Sequence, residues 1–251
     1  MEHYATAQQV FVGGLIFARL GALVMLIPGI GEAFIPARIR LSLAFVMTLA
    51  LYPVLGAGAP VEPATVADLA GAIIKEALIG LLIGGILRLF MNALAVCGEV
   101  VSIQTTLSFA QTANPTQAQP SATLGTFLGL LALVLIMSTG LHHLFLSAIV
   151  RSYSLFPFRK AVPVNDAGVL AIQTVGRSFA LGIQLSAPVL VFAFIFNIAT
   201  GLVGRVMPQF QVFFVASPLL VLTSLSIFAL SLGVIGMVFL DRYRDLLGTF
   251  G

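Results

Sequence analysis

Charge is what this sequence has least of. Only 8% of its 251 residues are Asp, Glu, Lys or Arg, 12 basic and 9 acidic, where a soluble domain carries about a quarter. So few charges cannot cover a water-facing surface, which excludes a soluble globular protein. Tryptophan is absent, against 20 Phe and 4 Tyr. The Trp belt usual at membrane interfaces is therefore missing, and much of the surface is expected to meet protein rather than lipid. The single Cys97 excludes an internal disulfide. The first ten residues, MEHYATAQQV, hold no Lys or Arg, and the apolar run behind them has no small-residue cleavage site, so no secretory signal is expected. The net charge of +3 is spread along the chain without a dense basic patch, which excludes nucleic acid as a partner. Catalytic sets are missing too: there is no GxSxG, P-loop or HExxH, and adjacent His142 and His143 diverge on a helix by about 100°. Neither an enzyme, a metal site nor a cofactor is expected.

What is present is apolar. Hydrophobic residues make up 59% of the chain and the mean hydropathy is +1.11. A bilayer core demands internally satisfied backbone, so the apolar runs predict helices. Seven segments are expected: 8–30, 39–56, 66–91, 92–111, 122–150, 168–203 and 212–240. The fold class is an all-α integral membrane protein of six to seven apolar helices. Lys and Arg alternate between the connections. The N-terminal tail, 57–65 and 112–121 have none, whereas Arg38 and Arg40, Arg88, the trio Arg151, Arg159 and Lys160, and the pair Arg242 and Arg244 mark the other side. By the positive-inside rule the N-terminus is outside and the C-terminus cytoplasmic, with Arg205 the one residue that blurs the pattern.

Polar residues inside apolar runs are costly and usually face a bundle interior or water. Arg19 lies deep in the first run and needs an acid from another helix or another subunit. Lys75 and Glu76 read as charges near a helix start, with the lysine snorkelling to the interface. Asn92, Glu99, Ser102 and Thr106 fall within about 80° of arc on a helix, a polar stripe suited to a water-filled conduit or a polar protein contact. The stripe runs into QTTLSFAQTANPTQAQPSATLG, which carries no charge. Two readings fit that stretch, a flexible periplasmic loop and a segment lying inside an assembly or across a pore. Prolines recur in a weak echo, Pro28 with Pro36 and Pro208 with Pro218, each consistent with a helical hairpin whose tip is structured.

The stretch RVMPQFQVFFVASPL resembles the Arg…Pro-Gln signature of the FliR family, export-gate subunits of flagellar type III secretion. Three further stretches are similar to the family in the same order: FARLGALVMLIPGIGEAFIPARIRLSLA, GEVVSIQTTLSFAQTANPTQAQPSATLG and TGLHHLFLSAIVRSYSLFP. Departures are local. The Asn after Pro-Gln-x is Gln211, Leu219 and Leu220 replace a basic residue, and the Gly-His of the fifth segment reads Gly140-Leu141-His142-His143.

The resemblance implies a pore-forming gate subunit in the bacterial inner membrane at the flagellar basal body. Its partners would be FliP-like, FliQ-like and FlhB-like subunits, and its cargo unfolded flagellar subunits. It implies a FliP-like part over 1–165 and a FliQ-like C-terminal hairpin over 166–251. It also implies a plug over 105–121, with Thr105, Thr106, Phe109, Gln111, Asn114 and Pro115 as its residues. Arg19, Pro28, Pro36, Arg40, Arg205, Pro208, Gln209, Phe213 and Pro218 would be motif or subunit-interface positions, with the charges of Arg19 and Arg205 partnered across subunits. A virulence-type secretion subunit shares the Pro-Gln motif. A small-solute transporter would instead require paired broken helices, midplane charges and strong inverted symmetry.

Overall fold

Helix starts are written locally into the chain. Thr6 and Gln9 form a capping box, with Gln9 N–H donating to Thr6 Oγ1 at 3.3 Å and Thr6 N–H donating to Gln9 Oε1 at 2.8 Å. They open α1, Ala7–Val24. Pro36 precedes α2, Ala37–Leu55, as its N-cap, and a single 3₁₀ turn, Gly56–Gly58, follows. Thr65 Oγ1 accepts from Asp68 N–H at 3.2 Å at the start of α3, Val66–Gln104. The remaining helices are α4, Thr123–Ser138, α5, Leu141–Leu155, α6, Val164–Val206, and α7, Val212–Thr249. The computed structural model describes residues 6–58, 60, 61, 63, 65–105, 123–158, 160, 164–207 and 212–249, and among these there is no strand.

The all-α membrane class holds, while the seven expected segments do not map one to one. Among the described residues, five helices are long and apolar enough to cross a membrane, or six if α4 and α5 count as one broken span. The expected segments 66–91 and 92–111 are one continuous helix, α3. Arg88 had marked a turn there, but it projects from mid-helix, where no proline interrupts the hydrogen-bond ladder. Conversely, the expected segment 122–150 bends by 78° between α4 and α5. Gly140 sits at the break with φ +74°, a left-handed conformation that glycine adopts without strain.

The chain forms two compact units. The first comprises Met1–Phe90, Met137–Val175 and Tyr243–Gly251. Its core is built from Leu15, Ile16, Leu20 and Leu23 of α1, Ile79, Ile83, Ile86 and Leu87 of α3, and Phe145 and Ile149 of α5. Tyr243 is wholly buried there, its ring 5.8 Å from Phe90 and 5.9 Å from Phe145. α1 and α2 make a hairpin, fastened by a Phe17–Phe45 edge contact at 6.4 Å and by Gln8 Nε2 donating to Pro60 O at 2.8 Å.

The second unit comprises Met91–Ile136 and Gly176–Arg242. Its buried residues recur every fourth position: Ala93, Cys97 and Val101 on α3, Leu128, Ala132 and Ile136 on α4, and Leu181, Leu185, Val189 and Ala193 on α6. Such i±4 rows are the ridges that interlock between close-packed helices. Glycine lets two of these contacts close: a Cβ on Gly98 would stand 2.2 Å from Gly125 N, and one on Gly182 would stand 2.7 Å from Ala93 O.

Candidate functional site

Arg19 is 0% exposed, although nearly all its neighbours along α1 are apolar. Each of its guanidinium nitrogens has an acceptor. Nε donates to Glu76 Oε2 at 2.7 Å, and Nη2 reaches the same oxygen at 2.6 Å. Nη2 also donates to Phe156 O at 2.8 Å, and Nη1 to Ser152 O at 3.0 Å. The plane of the group lies over the Tyr153 ring, 4.0 Å from its centre. Ser152 and Phe156 are at the C-terminal end of α5, where the helix dipole is negative; Ser152 O also accepts from Phe156 N–H at 2.9 Å. Lys75 adds a second cation at the same end by donating to Phe158 O. One arginine from α1 thus neutralises an acid on α3 and caps α5.

Two expectations are corrected here. Glu76 is 1% exposed, not an interfacial charge near a helix start. The partner of Arg19 is this acid on α3 of the same chain, so its charge is not left for a neighbouring subunit. What brings the two together is a Gly-x-x-x-Gly spacing one turn further along α3. A Cβ on Gly80 would lie 2.3 Å from Arg19 O, and one on Gly84 would lie 2.8 Å from Leu26 Cβ. Small residues at this spacing let helix backbones approach closely in membranes. That spacing was legible in GLLIG and is the signal that would have found the site.

The connection between α1 and α2 carries a second cationic cluster. Pro28 is buried, and Pro36 is exposed at the start of α2. Gly29 adopts φ +93° between them. The Gly31 carbonyl accepts from Arg40 Nη1 at 3.3 Å and from Arg88 Nη1 at 3.4 Å, while Glu32 stands 4.0 Å from Arg88 Nη2. Arg40 Nε is buried without an acceptor.

The polar stripe of α3 is divided by the fold. Asn92 and Glu99 are exposed on one face with Ala95 and Ile103, but Ser102 is 1% exposed. Ser102 stood at the edge of the predicted arc, and the buried row of Cys97 and Val101 takes it inward. Thr105 is buried just beyond the helix end, its hydroxyl donating to Val101 O at 2.8 Å. Arg205 is exposed in the last turn of α6, and Pro218 is exposed within α7. Thr106, Phe109, Gln111, Asn114, Pro115, Pro208 and Gln209, together with the side chain of Phe213, lie outside the described residues.

Apolar side chains dominate the outer faces of the long helices. On α6 exposed apolar side chains recur from Val169 to Val206, a stretch of about 55 Å at 1.5 Å per residue, whereas on α3 they run from Val66 to Leu81 and give way to exposed Arg88, Asn92 and Glu99. The hydrocarbon core of a bilayer is about 30 Å thick. Lipid alone cannot cover such a face, and water will not.

Known proteins resemble this chain along its length. Residues 10–246 match the family described as bacterial export proteins, family 1. A flagellar biosynthetic protein FliR from Caulobacter vibrioides is 58% identical over 250 residues, covering 100% of both chains. Proteins of the same name from Bacillus subtilis and Escherichia coli are 28% and 29% identical. The first covers 94% of this chain and 95% of the relative, and the second 84% and 80%.

Proposed function

Because the chain belongs to the FliR family of bacterial export proteins, and so to flagellar protein export, we propose that it is a pore-forming core subunit of the export gate. It passes unfolded flagellar subunits across the inner membrane at the basal body. The observation that carries this reading is the apolar exposure along α6 from Val169 to Val206, which outruns a bilayer and calls for protein neighbours. FliP-like and FliQ-like subunits would cover those faces, with an FlhB-like subunit on the cytoplasmic side. Residues 1–165 would do the FliP-like part and 166–251 the FliQ-like hairpin. All the relatives compared are flagellar, which favours a flagellar over a virulence-type system.

The fused α3 changes the topology that the basic residues ask for. Seven crossings would have put the termini on opposite sides, and six would put them together. Five crossings, with α4 and α5 entering and leaving on one side, restore the separation and keep Arg38, Arg40, the 151–160 basic trio, Arg242 and Arg244 together in the cytoplasm. The N-terminus is then periplasmic and the C-terminus cytoplasmic. In this arrangement the uncharged 105–121 segment joins α3 to the re-entrant pair and serves as the plug. Absence of fixed charge suits that role, since a conduit for varied polypeptides must not hold any of them tightly.

Deleting the gene and assaying hook and filament proteins in the culture medium, with swimming scored alongside, tests the proposal. Loss of all three, restored by the intact gene, is the expected result. Normal secretion and motility would refute it.

A further inference from the structure

The cationic cluster at the α1–α2 connection has more donors than its surroundings use. Two guanidinium groups, from Arg40 and Arg88, meet at one neutral oxygen, the Gly31 carbonyl, at 3.3 and 3.4 Å. The one carboxylate nearby, Glu32, reaches only Arg88 and at 4.0 Å. Arg40 Nε is buried with nothing to donate to, and a buried unmet donor costs about 1–3 kcal/mol. Arg38 adds a third positive charge, exposed in the first turn of α2. No side chain caps that helix start, where Ile39 N–H donates to Pro36 O at 3.0 Å. Among the described residues, these three arginines face one distant acid, which leaves a local excess of positive charge.

From Arg40 an apolar track runs down the same flank of α2, at Leu43, Met47 and Val54, with Leu43 and Val54 exposed. These positions follow the helical repeat at i+3, i+7 and i+14. The track is about 21 Å long at 1.5 Å per residue, longer than one leaflet of about 15 Å. We infer that Arg40 and Arg88 hold the phosphate of an anionic phospholipid whose acyl chain lies along this track. Convergent arginines match the phosphate oxygens, and a headgroup with net negative charge is preferred over a zwitterionic one. A free phosphate would satisfy the donors but leave the apolar flank uncovered.

Native mass spectrometry of the full-length chain in mild detergent tests this, with phosphatidylglycerol and phosphatidylcholine of identical acyl chains as probes. Wild type is expected to retain one phosphatidylglycerol, at least about tenfold in preference to phosphatidylcholine, the weight of one charge-assisted hydrogen bond. The double variant R40Q/R88Q is expected to lose that preference. R40K/R88K, which keeps the charge, and R177Q, which removes an exposed arginine elsewhere on α6, are expected to keep it. Equal retention of the two lipids would overturn the inference, as would an unchanged preference in R40Q/R88Q. Displacement of the lipid by millimolar inorganic phosphate would overturn it in favour of a soluble anion. Loss of the lipid from R40K/R88K would show that the arginines only brace the turn.

Discussion

Replacing Glu76 with leucine would leave Arg19 charged, 0% exposed and without its anion. Breaking a buried pair from one side costs about 3–5 kcal/mol, because the remaining charge is desolvated and uncompensated. Arg19→Met does the same to Glu76, and in addition removes the Arg19 donor from Phe156 O and one of two donors from Ser152 O, which keeps Phe156 N–H. Removing both together behaves differently. Neither charge remains, and the loss reduces mainly to the Phe156 carbonyl, about 1–3 kcal/mol. The double variant R19M/E76L is therefore expected to be more stable than either single one. Titrating the purified chain with sodium dodecyl sulfate in mixed micelles and following helix loss orders the four proteins, and steady-state levels in membranes give a second ordering. If the double variant loses the sum of the two single losses, the groups act independently and the paired node has been misread.

Other expectations follow from close approaches and exposure. Gly80→Ala places a methyl 2.3 Å from Arg19 O and should destabilise the chain by about 1–3 kcal/mol. Gly85→Ala, with open space around it, should leave membrane levels unchanged. Gly98→Ala should lower both chain abundance and export, because its methyl would meet Gly125 N at 2.2 Å; normal abundance with normal secretion would refute that contact. Removing residues 109–115 is expected to make cells leaky to small ions while the chain still reaches the membrane, read by membrane potential dyes. Exposed Glu99 should tolerate Gln without loss of chain abundance but with reduced secretion. Intact secretion with a collapsed solute gradient would instead favour a transporter.

The membrane class and the helical content were legible in the scarcity of charge, and the family in four ordered stretches. Helix boundaries were less so, for identifiable reasons. Arg88 mimicked a loop marker in a run that holds no proline between Val66 and Gln104, and a mid-helix arginine looks the same in sequence as one at a turn. The bend at Gly140 depends on a positive φ that many glycines in this chain do not adopt. The Arg19–Glu76 pair joins positions 57 apart, and the charges of Lys75 and Glu76 alone do not tell a buried pair from an interfacial one. The Gly80-x-x-x-Gly84 spacing beside it was the readable clue. Ser102 shows the limit of helical arcs: a residue at the edge of a stripe is turned by whichever neighbour packs, here the row of Cys97 and Val101.

The wide separation of the groups around Arg19 also sets a schedule for synthesis. Ribosomes extend bacterial chains at roughly 5–20 residues per second. Glu76 is made 57 residues after Arg19 and Ser152 133 residues after it, delays of about 3–11 and 7–27 seconds at that speed. During the first interval α1 carries a lone cation, at an insertion cost of about 2.5–3.5 kcal/mol if it is at mid-bilayer. The first helix is therefore expected to linger beside the insertion machinery until α3 emerges, and α5 to lock in only after its two predecessors have met. A nascent chain arrested before residue 76 should be extractable from membranes by carbonate, and one arrested beyond residue 160 should not.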